Sequence, residues 1–149
     1  MELRVEPVVF PEWELFIDSF DPAVSARPST VGPMSIAVDI DDLPDAVAER
    51  AFAYLLTVGG DERPKAVALV PTVVDGELRF IVGAGTGRNV GERPRVSMIF
   101  PPTATDEFSL LVDGDARLEP CSAGARGADG GEMLVVVTPT WAVRHRPAP

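Results

Sequence analysis

From residue 52 onward, apolar residues fall in short blocks separated by turn-forming residues, the pattern of successive β-strands. FAYLLTV (52–58) ends at Gly59-Gly60-Asp61, and KAVALV (65–70) lies between Pro64 and Pro71. LRFIV (78–82) returns from a hairpin turn at Asp75-Gly76, a dipeptide suited to positive backbone angles. RVSMIF (95–100), FSLLVDGDARL (108–118) and EMLVVVT (132–138) complete six strands. Several blocks are almost continuously apolar, which predicts strands covered on both faces. For antiparallel neighbours joined by short turns, that coverage predicts a closed or split barrel whose outside packs on something further, most simply a second subunit.

One segment carries helical periodicity. In DDLPDAVAERA (41–51), Asp42 can cap, Pro44 suits the first turn, and Leu43, Val47 and Ala51 form a stripe opposite Asp45 and Glu49. Asp39, Asp41 and Asp42 lack the further ligands and glycine spacing of a calcium loop, so capping and solvation account for them. Residues 1–33 are proline-rich and without period, which predicts an extended arm ahead of a domain over 34–149. Trp13, Phe16 and Phe20 make that arm too apolar for a solvated tail, so it should cover a surface of its own domain or of a partner. Residues 122–131 read as a glycine-rich loop.

At 149 residues and 46% hydrophobic composition, the chain suits one domain with a real core. Its 23 acidic and 13 basic residues give a net charge of -10, which disfavours nucleic acid and anionic membranes as partners. A compact anion held by a few local donors remains compatible with that charge. Cys121 and His145 are the sole residues of their types, which excludes internal disulfides, zinc clusters and most hydrolase triads, and no metal site is expected. No run approaches the roughly 20 apolar residues of a membrane span, and no signal-peptide pattern opens the chain, so a cytoplasmic location is expected. His145, between Arg144 and Arg146, reads as a solvated histidine, Cys121 as a spectator, and Phe100 and Trp141 as core or interface aromatics.

The stretch GAGTGRNVGERPRVSM (83–98) carries the candidate chemistry. A dinucleotide fingerprint would need a full crossover helix after its glycines, yet the next strand begins at Arg95, leaving about two helical turns. A P-loop would need a lysine followed by serine or threonine. What remains is a loop between barrel strands in which Thr86, Arg88 and Asn89 offer a hydroxyl, a guanidinium and an amide among permissive glycines, a set suited to a terminal phosphate. The other reading is a surface turn in which Arg88 pairs with Glu92 at helical spacing.

The order of these residues resembles the pyridoxamine 5'-phosphate oxidase-like, flavin-binding split barrels. The resemblance runs over roughly residues 43–147 and is carried most strongly by GTGRNVGERPRVSM (85–98), within the stretch that opens LPDAVAERAFAYLLTV at Leu43, and by FSLLVDGDARL and VTPTWAVRHRPA after it. It implies a six-stranded antiparallel split β-barrel (Greek key) with one or two short helices, a homodimer, and FMN or a deazaflavin near the subunit interface. In that pattern Thr86 is the phosphate-binding hydroxyl, Arg88 a basic phosphate ligand, and Gly85 and Asn89 shape the turn. Lys65 is a further cation, and Pro71, Thr72 and Val82 lie beside the flavin ring. Many relatives carry a second basic residue where this chain has Gly87, and a lysine near Pro71. The implied activity is a flavin-dependent oxidoreductase passing electrons or hydride to a small molecule, with no catalytic side chain specified. The alternative is a non-catalytic dimeric split barrel that binds flavin, haem or another small ligand.

Overall fold

The computed structural model describes residues 34–121 and 131–147, all within the unit Pro33–Pro149. The arm expected over 1–33 and nearly all of the loop expected over 122–131 lie outside the described residues. In chain order the elements are β1 (Ser35–Ala37), a 3-10 turn (Ile40–Asp42), α1 (Leu43–Ala48), β2 (Ala53–Val58), β3 (Pro64–Leu69), β4 (Thr72–Val74), β5 (Glu77–Val82), α2 (Ala84–Glu92), β6 (Arg95–Phe100), β7 (Ser109–Glu119) and β8 (Met133–His145).

The strands form one antiparallel sheet in the order β3-β2-β6-β7-β8-β5-β4, with β1 added beside β8. In place of the expected six strands there are eight among the described residues. β1 and β4 have three residues each, too few to register as a period. β8 also runs seven residues past the Thr138 limit read from the sequence, although Pro139 should end a strand. A β-bulge resolves this: Asp113 pairs with Trp141 and Gly114 with Pro139, so Thr140 is the extra residue and its hydroxyl donates to the Asp113 carbonyl at 3.2 Å. The close approach requires glycine at 114, where a β-carbon would meet Val137 Cγ1 at 2.6 Å and the Thr138 carbonyl oxygen at 2.7 Å.

Inward-facing residues of successive strands build the core, among them Leu55, Met98, Phe100, Leu110, Val112, Val135, Val137 and Phe80. α1 closes one part of it with Leu43, Ala46 and Val47. The helix stops at Ala48, so Ala51, expected on its buried stripe, is exposed. Capping also falls one turn earlier than expected. Asp42 makes no side-chain cap bond, whereas Asp39 Oδ1 accepts from the Asp41 amide at 3.1 Å and caps the 3-10 turn.

Coverage of both sheet faces is real but local. Val136 is fully buried outside the main core, between Arg79 on β5 and Arg117 on β7. Arg117 grips Glu77 through two hydrogen bonds of 2.6 and 2.9 Å and reaches Glu119 at 2.9 Å, while Thr138 donates to Glu77 at 3.0 Å. Elsewhere Tyr54, Ile81 and Trp141 are 41%, 47% and 50% exposed.

Arg50 fastens α1 to the connection between β6 and β7. Its guanidinium donates to the carbonyls of Pro101 (2.9 Å) and Phe108 (2.8 Å) and to Asp106 Oδ2 (2.6 Å), with a side chain only 1% exposed.

Candidate functional site

The glycine-rich stretch is not a loop. It folds as α2, with Gly83 as N-cap. Three interior glycines each cost about 1 kcal/mol of helix propensity relative to alanine, so the helix depends on what it touches. Val90 is 1% exposed in the core, and Asn89 Nδ2 donates to Thr57 Oγ1 on β2 at 3.1 Å in a buried hydrogen bond. Gly87 lies directly against the Met133 side chain on β8, where a β-carbon would overlap the sulfur. Tertiary contacts with β2 and β8 thus override the local preference for a turn.

This docking brings α2 beside the β2–β3 turn. Between them lies a cavity of about 260 Å³ lined by Gly59, Gly60, Asp61, Lys65, Gly85, Arg88, Asn89 and Glu92. Lys65 and Arg88 enter from different elements, both exposed, and neither has a hydrogen-bond or carboxylate partner among the described residues. The expected pairing of Arg88 with Glu92 is not seen among the described residues, where Glu92 pairs with Arg93 at 3.2 Å. Gly83 makes no side-chain cap bond, and space is open around both Gly83 and Gly85, so the first-turn amides of α2 can meet an anion. Two uncommitted cations beside an uncapped helix start fit the tail of a phosphorylated cofactor.

Four of the eight sequence-predicted residues therefore line one cavity: Lys65, Gly85, Arg88 and Asn89. The amide nitrogen of Asn89 is already engaged by Thr57, which makes the residue a positioning element. Thr86 is half-buried in the first turn of α2 and outside the cavity lining. Pro71 and Thr72 stand at the entry to β4, with Thr72 paired to Arg79. Val82 is 3% exposed and belongs to the core. Gly59, Gly60, Asp61 and Glu92 were not expected in the site; the glycine pair read as a strand end, and only the hairpin between β2 and β3 carries it to α2.

The other flagged residues fall elsewhere. His145 is exposed near the chain end, 2.9 Å from the Ser35 hydroxyl, and Phe100 is in the core. Among the described residues no helix is long and apolar enough to cross a membrane.

An F420 reductase shares the fold, with a TM-score of 0.58 and 24% identity over 66% of this chain and 94% of that one. A pyridoxamine 5'-phosphate oxidase-related, FMN-binding protein from Nostoc punctiforme aligns with a TM-score of 0.55 and 14% identity, covering 74% of this chain and 84% of that one. The chain has the fold of the pyridoxamine 5'-phosphate oxidase-like split barrels. It also belongs to one sequence family with an uncharacterized protein of Mycobacterium bovis, at 31% identity over 74% of this chain and 82% of that protein. An uncharacterized protein of Mycobacterium tuberculosis matches to the same extent. No protein-family model matches the chain. Within this fold, the expected strand count and the expected loop over 83–94 are corrected as above, and the antiparallel, mainly β architecture holds.

Proposed function

We propose that the protein is a flavin-dependent oxidoreductase that acts on a small molecule, with FMN or a deazaflavin as cofactor. The observation that carries this reading is the meeting of Lys65 and Arg88, both without carboxylate partners among the described residues, in one cavity beside the open start of α2. Bound there, the flavin-type ring would supply electron or hydride transfer. The chain would hold its charged tail through the two cations and the amides around Gly85, with Thr86 as a further hydroxyl near the same turn. No side-chain acid or base is required, which suits a chain with one histidine far along β8.

A homodimer in the cytoplasm completes the reading. Tyr54, Ile81 and Trp141 leave apolar area on the surface that a second copy would cover. A small-molecule substrate agrees with the net charge of -10, which opposes nucleic acid and anionic membrane surfaces.

The test is a titration of the purified chain with FMN and with a deazaflavin, followed by addition of a reduced nicotinamide. Binding of one cofactor and bleaching of its absorption band support the enzyme. The Arg88→Ala variant should bind it more weakly by roughly 1.5–3 kcal/mol, the value of a hydrogen bond to a charged group. Absence of binding to either cofactor would overturn the proposal.

A further inference from the structure

Lys65 and Arg88 can grip one anion together only if β3 and α2 stand at a fixed spacing. Among the described residues, the bond from Asn89 Nδ2 to Thr57 Oγ1 is the one side-chain hydrogen bond that ties α2 to the sheet. Thr57 is also the cross-strand partner of Lys65 in the β2–β3 register. Its hydroxyl therefore links the two carriers of charge: Asn89 follows Arg88 along α2, and Lys65 lies opposite Thr57 in the ladder. A β-carbon at Gly59 would meet Lys65 Cε at 3.6 Å, so the lysine arm lies back along the turn that borders the cavity. Thr57 is 3% exposed and absent from the cavity lining, so it acts on a bound anion only through these neighbours.

The tie matters because little else fixes the direction of α2. Glycines at 85, 87 and 91 leave the helix with weak intrinsic preference for its own conformation. Val90 presses it onto the core, but apolar burial is non-directional and tolerates small slides. A buried hydrogen bond does not, since its donor is left unsatisfied once distance or angle is lost. A looseness of about 1 Å is enough to spoil a binding constellation.

We propose that Thr57 is a positioning residue that holds Lys65 and Arg88 in register for one phosphate-type anion. The inference rests on the anion-binding role proposed for those two cations.

FMN and riboflavin share a ring and differ by the phosphate, so the ratio of their dissociation constants isolates the grip on the anion. Fluorescence titrations of the wild-type chain should show FMN bound at least about tenfold more tightly. Thr57→Val keeps the side-chain shape but removes the acceptor, and should cut that ratio about fivefold or more while shifting riboflavin by about threefold or less. Thr57→Ser keeps the hydroxyl and loses only a methyl, so its ratio should stay within about twofold of wild type even where its melting temperature falls. Should Thr57→Val not fold, Thr57→Ala takes its place in the same titration, with the same fall expected. A folded variant without the hydroxyl that keeps the wild-type ratio, or that weakens FMN and riboflavin equally, would overturn the positioning role. So would a Thr57→Ser chain whose ratio falls as far as that of Thr57→Val. If the wild-type chain binds FMN no more tightly than riboflavin, the anion cradle itself is wrong.

Discussion

Gly87 on α2 and Met133 on β8 occupy one another's van der Waals space so fully that no side chain can be added at position 87 without displacing the methionine. The contact sets the height of α2 above the sheet, and with it the position of Arg88. Gly87→Ala should destabilise the fold by roughly 1–2 kcal/mol, overpacking outweighing the gain in helix propensity. Combining it with Met133→Ala should give a non-additive cycle, the alanine at 87 costing less once the sulfur is gone. Denaturant midpoints of the four proteins check this.

Arg88 and Asn89 are adjacent but should separate cleanly in experiment. Asn89→Ala leaves the buried Thr57 hydroxyl without its donor and should cost about 1–3 kcal/mol of stability. Arg88→Ala removes an exposed side chain and should leave stability within about 0.5 kcal/mol while weakening cofactor binding. Urea unfolding and a cofactor titration on the same two variants distinguish the positioning role from the binding role.

Arg50 has no part in the proposed chemistry, yet its loss should be felt most. Arg50→Ala would strip Asp106 of its buried partner and leave the Pro101 and Phe108 carbonyls without their guanidinium donor. A loss of roughly 3 kcal/mol or more is expected. Arg50→Lys should recover only part of it, since one ammonium cannot reproduce the fork that serves three acceptors. Thermal unfolding compares the two.

The Glu77 carboxyl is held down from the ordinary 4.5 to about 2, first by the hydrogen bonds from Arg117 and next, after an opposing desolvation effect, by the Thr138 hydroxyl. A depressed folded-state value contributes stability above the unfolded value, and that contribution is lost as pH falls from about 4.5 through about 2. Glu77→Gln should therefore flatten the stability profile across that acid window and leave its slope between about pH 6 and 8 unchanged. Acid titrations followed by tryptophan fluorescence provide the comparison.

The strands were legible because inward residues such as Leu55, Met98 and Val112 recur with the period the core demands. The continuation of β8 was not, since nothing local reveals that the bulge at Gly114 lets Pro139 sit inside a ladder. α2 was hidden for a similar reason. Its glycines argue locally for a turn, and only Met133 and Thr57, 46 residues downstream and 32 upstream of their partners, make a helix the better solution. Within the candidate site, Arg88 and Lys65 could be named from residue type and order. Asp61 and Glu92 could not, because which residues line a cavity is decided by the assembled surface.

Lys65 lies on β3, which ends one side of the sheet and is exposed along much of its length. Among the described residues no strand pairs with the outer margin of β3, and there Lys65 and Pro64 would oppose recruitment of a foreign strand, since a bulky charge and a missing amide both spoil the template. The same ammonium would then serve solubility as well as cofactor retention. A neutral substitution there should be assayed for self-association by light scattering before any fall in flavin uptake is credited to a lost contact.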